Sequence, residues 1–137
     1  MVYATQLDME ARFGAAELAQ LTDRAEGSVI DAAVVVRAIE DAAAEIDGYL
    51  ASRFALPLVA TPEVLVRLNC DMARYYLHDD AVTDAVRNRY TDAVRLLRAI
   101  AGGDVRIDGA APLAAATAGR LAEVTEPSRP LAFRGGL

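Results

Sequence analysis

The chain contains no lysine and no tryptophan, and only one cysteine, Cys70, and one histidine, His78. A lone cysteine excludes an internal disulfide framework and a multi-cysteine zinc site. A lone histidine leaves almost nothing for catalytic triads or imidazole metal centres. Cys70 and His78 are eight residues apart on one predicted helix, more than two turns, too far for a nucleophile and its base. No apolar run approaches the ~18 residues of a membrane-spanning helix. The start, MVYATQLDMEARF, lacks the basic and apolar blocks of a signal peptide, so the expectation is a protein made in and kept to the cytoplasm. Gly102 and Gly103 are not followed by the Lys-Ser or Lys-Thr of a phosphate-binding loop. Asp79, Asp80 and Asp84 lack calcium-loop spacing and read as a solvated loop. No cofactor or metal is expected, and an enzyme reading has neither nucleophile, base pair nor cofactor loop.

What is present is charge of uneven distribution. All fourteen basic residues are arginine, against twenty acids, for a net charge of −6. Residues 1–60 hold ten acids and four arginines, which accounts for the whole imbalance; residues 61–101 hold six of each and 102–137 four of each. An acidic half argues against sequence-independent nucleic-acid binding, which needs a basic footprint. The arginine-only usage fits a GC-rich coding sequence, as do the many alanines.

The periodicity reads as all-α, and the 137 residues as one small helical bundle with an extended C-terminal arm. Thr5 with Asp8 forms a capping-box-like start of a short helix that ends at Gly14. Ala15 to Leu21 is a second short helix with Leu18 and Leu21 inward, and residues 22–28 are loop. The first long helix starts at Asp31 as N-cap and runs to about Arg53, with Val35, Ile39, Ala42, Ile46 and Tyr49 or Leu50 on one stripe. Arg37 stands within reach of Glu40 and Asp41 for solvated ion pairs. Thr61, Pro62 and Glu63 open the next helix as cap, N1 proline and first-turn acid, which carries Leu65, Leu68, Met72 and Tyr75 or Tyr76 and ends near His78. Of the two tyrosines, one ring is expected in the core and one exposed. Cys70 reads as a core thiol and His78 as a helix-end residue. Thr83 caps the last helix, whose stripe is Val86, Tyr90, Ala93, Leu97 and Ile100, stopped by Gly102 and Gly103. A short connection makes these two helices an antiparallel pair.

The helical domain is placed at 1–103 and the arm at 104–137. Residues 105–109 read as a short strand and turn, and beyond them no apolar period is sustained. Leu113, Leu121, Val124, Leu131 and Phe133 are spaced like anchors, with Arg129 and Arg134 among them, and are the partner-binding candidates. Fully extended, the arm would reach at most ~120 Å, so docking on a neighbour is expected. The stretch EIDGYLASRFALPL, residues 45–58, reads as a structural corner built from Gly48, Tyr49, Arg53, Phe54 and Pro57. Gly48 costs ~1 kcal/mol against alanine, and beside the stripe it suggests close approach of a neighbouring element. Arg53 reads as an ion pair or a subunit contact, and Phe54, Leu56 and Leu58 as a turn pinned by Pro57.

Several segments together resemble one family: MVYATQLD at residues 1–8 with Arg12, Phe13 and Gly14; AIEDAAAEIDGYLASRFALPL at 38–58; CDMARYYLH at 70–78; RYTDAV at 89–94; and IAGG at 100–103. The pattern resembles the Mu-like phage and prophage group of small virion proteins, similar in layout to helical head–tail connectors (adaptors) of tailed phages and gene transfer agents. It covers roughly residues 1–105. The resemblance implies a virion neck protein assembled in the bacterial cytoplasm, forming a ring of roughly twelve copies beneath the portal protein and above a downstream neck or tail protein. DNA would pass through the channel without specific binding, and no membrane is involved. A stopper or tail-completion protein is an alternative within the virion. A small helical DNA-binding or regulatory module, drawing on Arg87, Arg89, Arg95 and Arg98, is the alternative outside it.

Overall fold

A computed structural model describes residues 1–79 and 81–113. Five helices follow in order: α1 (Gln6–Phe13), α2 (Ala15–Thr22), α3 (Ala32–Leu50), α4 (Glu63–Leu77) and α5 (Asp84–Ala101). No strand is present among the described residues, so the all-α expectation holds.

The helix ends follow the local chemistry. The Thr5 hydroxyl accepts from the Asp8 backbone while the Asp8 carboxylate accepts from Thr5 N–H, a complete capping box. Gly14, at φ +89°, closes α1 and opens α2. The Asp31 carboxylate accepts from the backbone of Ala33 and Val34, and Thr83 Oγ1 from that of Val86. The Asp23 carboxylate organises the loop between α2 and α3 by accepting from the N–H groups of Ala25, Glu26, Ser28 and Val29. These bonds favour the ionised form and hold its carboxyl below the usual range. The start of α4 differs from expectation. Pro62 itself is the N-cap, in extended geometry, and no side chain caps the helix. Proline has no N–H to satisfy, and its carbonyl takes Leu65 N–H at 3.0 Å.

The core is the three-way packing of α3, α4 and α5, with α1 and α2 laid against α3 and α4. The three expected stripes are its walls: Val35, Ile39, Ala42, Ile46 and Leu50; Leu65, Leu68 and Met72; Val86, Ala93, Leu97 and Ile100 are all buried. Leu18 is buried and Leu21 half-buried. Cys70 is buried as expected, and burial raises its thiol to about 12. Tyr49, Tyr75, Tyr76 and Tyr90 are all half-buried at the edge of the core, so neither Tyr75 nor Tyr76 is the exposed ring the stripe suggested. Arg37 makes no ion pair with Glu40 or Asp41 among the described residues; all three lie exposed on the outer face of α3.

Candidate functional site

The corner after α3 is where the backbone of the bundle is tied together. Leu50 O accepts from Arg53 N–H at 3.0 Å and Phe54 N–H at 2.8 Å, ending the helix in a tight turn. Phe54 and Leu58 are buried against the core, and the Leu56–Pro57 peptide is cis. The chain after α5 returns to this turn: Ala55 N–H donates to Ala111 O at 3.0 Å and Leu113 N–H to Arg53 O at 3.1 Å. That is an isolated antiparallel bridge centred on Phe54 and Pro112. The short strand expected at residues 105–109 is absent. Those residues form turns that carry the chain to the corner, with Ile107 packed on the core and Gly109 at φ +76°.

Two corner residues behave differently from their sequence reading. Gly48 is exposed, and a Cβ built there meets nothing within 4 Å. No element approaches it, so the close-approach explanation is wrong. The outer face of α3 rather than its packed edge carries the glycine. Arg53 forms no ion pair among the described residues. Its guanidinium lies over Gly103, where a Cβ would fall 2.9 Å from Cζ. Gly103 is required by its φ of +89°, while a side chain there would also push the flexible end of Arg53 aside. A groove of about 490 Å³ between Arg53, Phe54, Val105 and Pro112 opens beside this contact. Tyr49 is half-buried and lines a different groove, shared with Tyr90 and Arg98. Of the arm candidates, Leu113 lies at the end of the bridge, 37% exposed. Leu121, Val124, Arg129, Leu131, Phe133 and Arg134 lie outside the described residues.

Three polar sites that the sequence reading passed over join the helices. Asn69, fully buried in α4, accepts from the N–H groups of Tyr3 and Ala4 at 3.0 Å each and donates to Ile39 O at 3.1 Å. The Glu45 carboxylate, on α3, takes hydrogen bonds from Tyr76 OH of α4 and Tyr90 OH of α5, the latter at 2.9 and 3.1 Å. Tyr75 stacks on Tyr90 with centroids 4.1 Å apart. Burial first, and Glu45 second, raise both phenols that bond it. Asp71, on α4, is only 4% exposed and accepts no hydrogen bond among the described residues. Its nearest cations are Arg67 at 3.9 Å and Arg89 at 4.0 Å. Burial raises its carboxyl above the ordinary range, against the pull of Arg89, Arg67, Arg12 and Arg74. The spacing of Arg67, Asp71 and Arg74 along one helix was visible in the sequence. That Asp71 faces inward was not.

The remaining arginines are largely engaged. Arg74 makes a bidentate pair with Glu17 at 2.7 and 2.9 Å and lies 4.4 Å over the Phe13 ring. Arg12 pairs with Glu63, Arg24 with Asp79, Arg87 with Asp84 and Arg95 with Asp92. Three of the four α5 arginines therefore face a carboxylate, which leaves no continuous basic stripe. Among the described residues no three His, Cys, Asp or Glu side chains converge to hold a metal, and no helix is long and apolar enough to cross a membrane. His78 is the C-cap of α4, its backbone N–H bonded to Arg74 O and Tyr75 O.

These features define a small all-α protein whose distinctive surfaces are charged helix faces and a backbone corner. The family is settled by comparison: the model described as "Bacteriophage Mu, Gp36" matches residues 3–126, and the chain belongs to that family. The match continues past residue 105, where the motif resemblance stopped, into the C-terminal segment. The chain is 36% identical over 107 residues to the Mu-like prophage FluMu protein gp36 of Haemophilus influenzae, covering 78% of this chain and 76% of that protein. It is 42% identical over 105 residues to Gene product J of Escherichia phage Mu, covering 75% and 74%.

Proposed function

We infer that this protein is a non-enzymatic structural component of a Mu-like phage or prophage particle, acting as a head–tail connector (adaptor). In this reading copies form a ring of roughly twelve on the portal protein and continue the DNA channel to the next neck or tail protein. The observation that carries it is the family membership combined with the anchoring of residues 111–113 at the corner after α3. Residues 111–113 are bonded to the Arg53–Ala55 turn, so the remaining 24 residues start from a fixed point at the domain edge. Their spaced apolar residues suit ordering on a portal or a neighbouring copy. An acidic surface repels the passing duplex rather than gripping its phosphates, which suits a channel. The all-α fold favours an adaptor over a stopper or tail-completion protein, which are more often β-rich.

The test is to locate the chain in assembled particles by electron cryomicroscopy. Density for a ring of five-helix bundles in contact with the portal is the expected result. Density below the first neck ring, or in the tail, would replace the adaptor reading with a stopper or tail-completion role.

A further inference from the structure

We propose that two faces of this protein are halves of one head-to-tail interface between copies: Arg67 and Arg89, set over Asp71, receive Glu40 and Asp41 of a second copy. The pairing rests on the ring reading and names the surfaces that would build it.

The basic half is an incomplete charge network. Asp71 is buried, yet its two nearest guanidinium groups stop at 3.9 and 4.0 Å, outside hydrogen-bonding range. Arg67 is 48% exposed and Arg89 61%, and among the described residues neither donates a side-chain hydrogen bond. Each guanidinium carries five N–H donors in a planar fork suited to carboxylates. Asp71 thus holds two arginines side by side from beneath, while leaving their outer edges open. The other two arginines facing Asp71 are already committed, Arg12 to Glu63 and Arg74 to Glu17. Two guanidinium groups over one carboxylate leave a net positive charge, which attracts carboxylates from outside.

The acidic half lies on the outer face of α3. Glu40 and Asp41 are adjacent, exposed and without an ion pair among the described residues. Every other exposed carboxylate on the described helices has a partner: Asp8 in its capping box, Glu63 with Arg12, Asp84 with Arg87 and Asp92 with Arg95. A carboxylate pair on a rigid helix fits a pair of guanidinium groups held on another. The two halves are different patches of the chain, so a head-to-tail pairing of one copy's acidic half with the next copy's basic half leaves one half of each kind free at the ends. Contacts of this heterologous kind close into rings or propagate as filaments, rather than stopping at a dimer.

The test uses the full-length protein in two charge-reversed forms, Arg67→Glu with Arg89→Glu, and Glu40→Arg with Asp41→Arg. Oligomer mass is followed by sedimentation velocity and native mass spectrometry at low salt and rising concentration. Wild type should form trimers and larger species that dissociate as salt is added. Each reversed form alone should associate about tenfold or more weakly, and an equimolar mixture of the two should recover association. The Glu40→Arg, Asp41→Arg form alters only exposed positions, so its loss of assembly tests the pairing even if the other form does not fold. Wild type that stays monomeric throughout would overturn the pairing. So would oligomers indifferent to both reversals, which would leave the ring reading standing with other faces. Retarded migration of duplex DNA, lost with Arg67→Glu and Arg89→Glu, would reassign the arginines to phosphate. Association that follows the reversals, in a protein found outside the neck, would keep the pairing and reject the connector reading.

Discussion

Asn69 satisfies two backbone donors and a backbone acceptor in a place without water, tying the residues before α1 and the middle of α3 to α4. An apolar side chain of similar size would fill the space but orphan those groups, each at a cost of about 1–3 kcal/mol. Asn69→Ala should lower stability by on the order of 3 kcal/mol, read as a fall in the urea midpoint; a loss below about 1 kcal/mol would contradict this role. Gly48 is the opposite case, a residue with nothing against it. Gly48→Ala should raise stability by about 0.5–1 kcal/mol, and a drop in the thermal midpoint would mean an element reaches the site after all. Asp71 makes the protein pH-sensitive in a stated direction. Its folded-state carboxyl binds a proton more tightly than in the unfolded chain, so stability is lost as pH rises through the interval between the two values. Asp71→Asn removes that slope. Relative to wild type, the variant should gain stability from the acid range towards neutral, measured by urea titration at several pH values. A constant offset at every pH would refute the account.

Among elements, the three long helices are joined at Glu45. One carboxylate on α3 accepts from a tyrosine on α4 and another on α5, and the stacking of Tyr75 on Tyr90 fixes the second ring. Removing one hydroxyl leaves the other donor in place, whereas removing both leaves a half-buried carboxylate without a donor. Tyr76→Phe and Tyr90→Phe should each cost about 1 kcal/mol, and the double variant more than their sum. Additivity in a double-mutant cycle would show that the two bonds are independent. The short helices are held differently, by the bidentate Arg74–Glu17 pair, with the same guanidinium over Phe13. Helix positions, stripes and caps at Thr5, Asp31 and Thr83 were legible because they depend on neighbours three or four residues away. The start of α4 was misread for a local reason: Pro62, not Thr61, carries the extended cap geometry.

For the whole molecule, the return of residues 111–113 to the corner ties the chain after α5 back onto the bundle. A chain ending after Leu113 keeps every described contact, so it should fold with an unfolding midpoint close to the full-length protein. It should fail to bind purified portal assemblies in co-sedimentation. Normal binding would remove the C-terminal segment from the proposed attachment, and a collapse in stability would place it in the core. The candidate site was less legible than the fold. Arg53 read as an ion pair because charge is visible in sequence and a glycine fifty positions later is not recognisable as its seat. Asp71 with Arg89, and Glu45 with Tyr90, join positions that come together only when helices pack.

The sequence by itself determined the helices, their buried stripes, the acidic imbalance and, through its motifs, the family, because each is a local or compositional property. Only the tertiary structure decided that Gly48 is free, that Phe54 pairs with Pro112, and that Asp71 is buried beneath two arginines with unused donors. Such facts depend on which residues far apart in the chain are brought into contact, and packing geometry alone sets that.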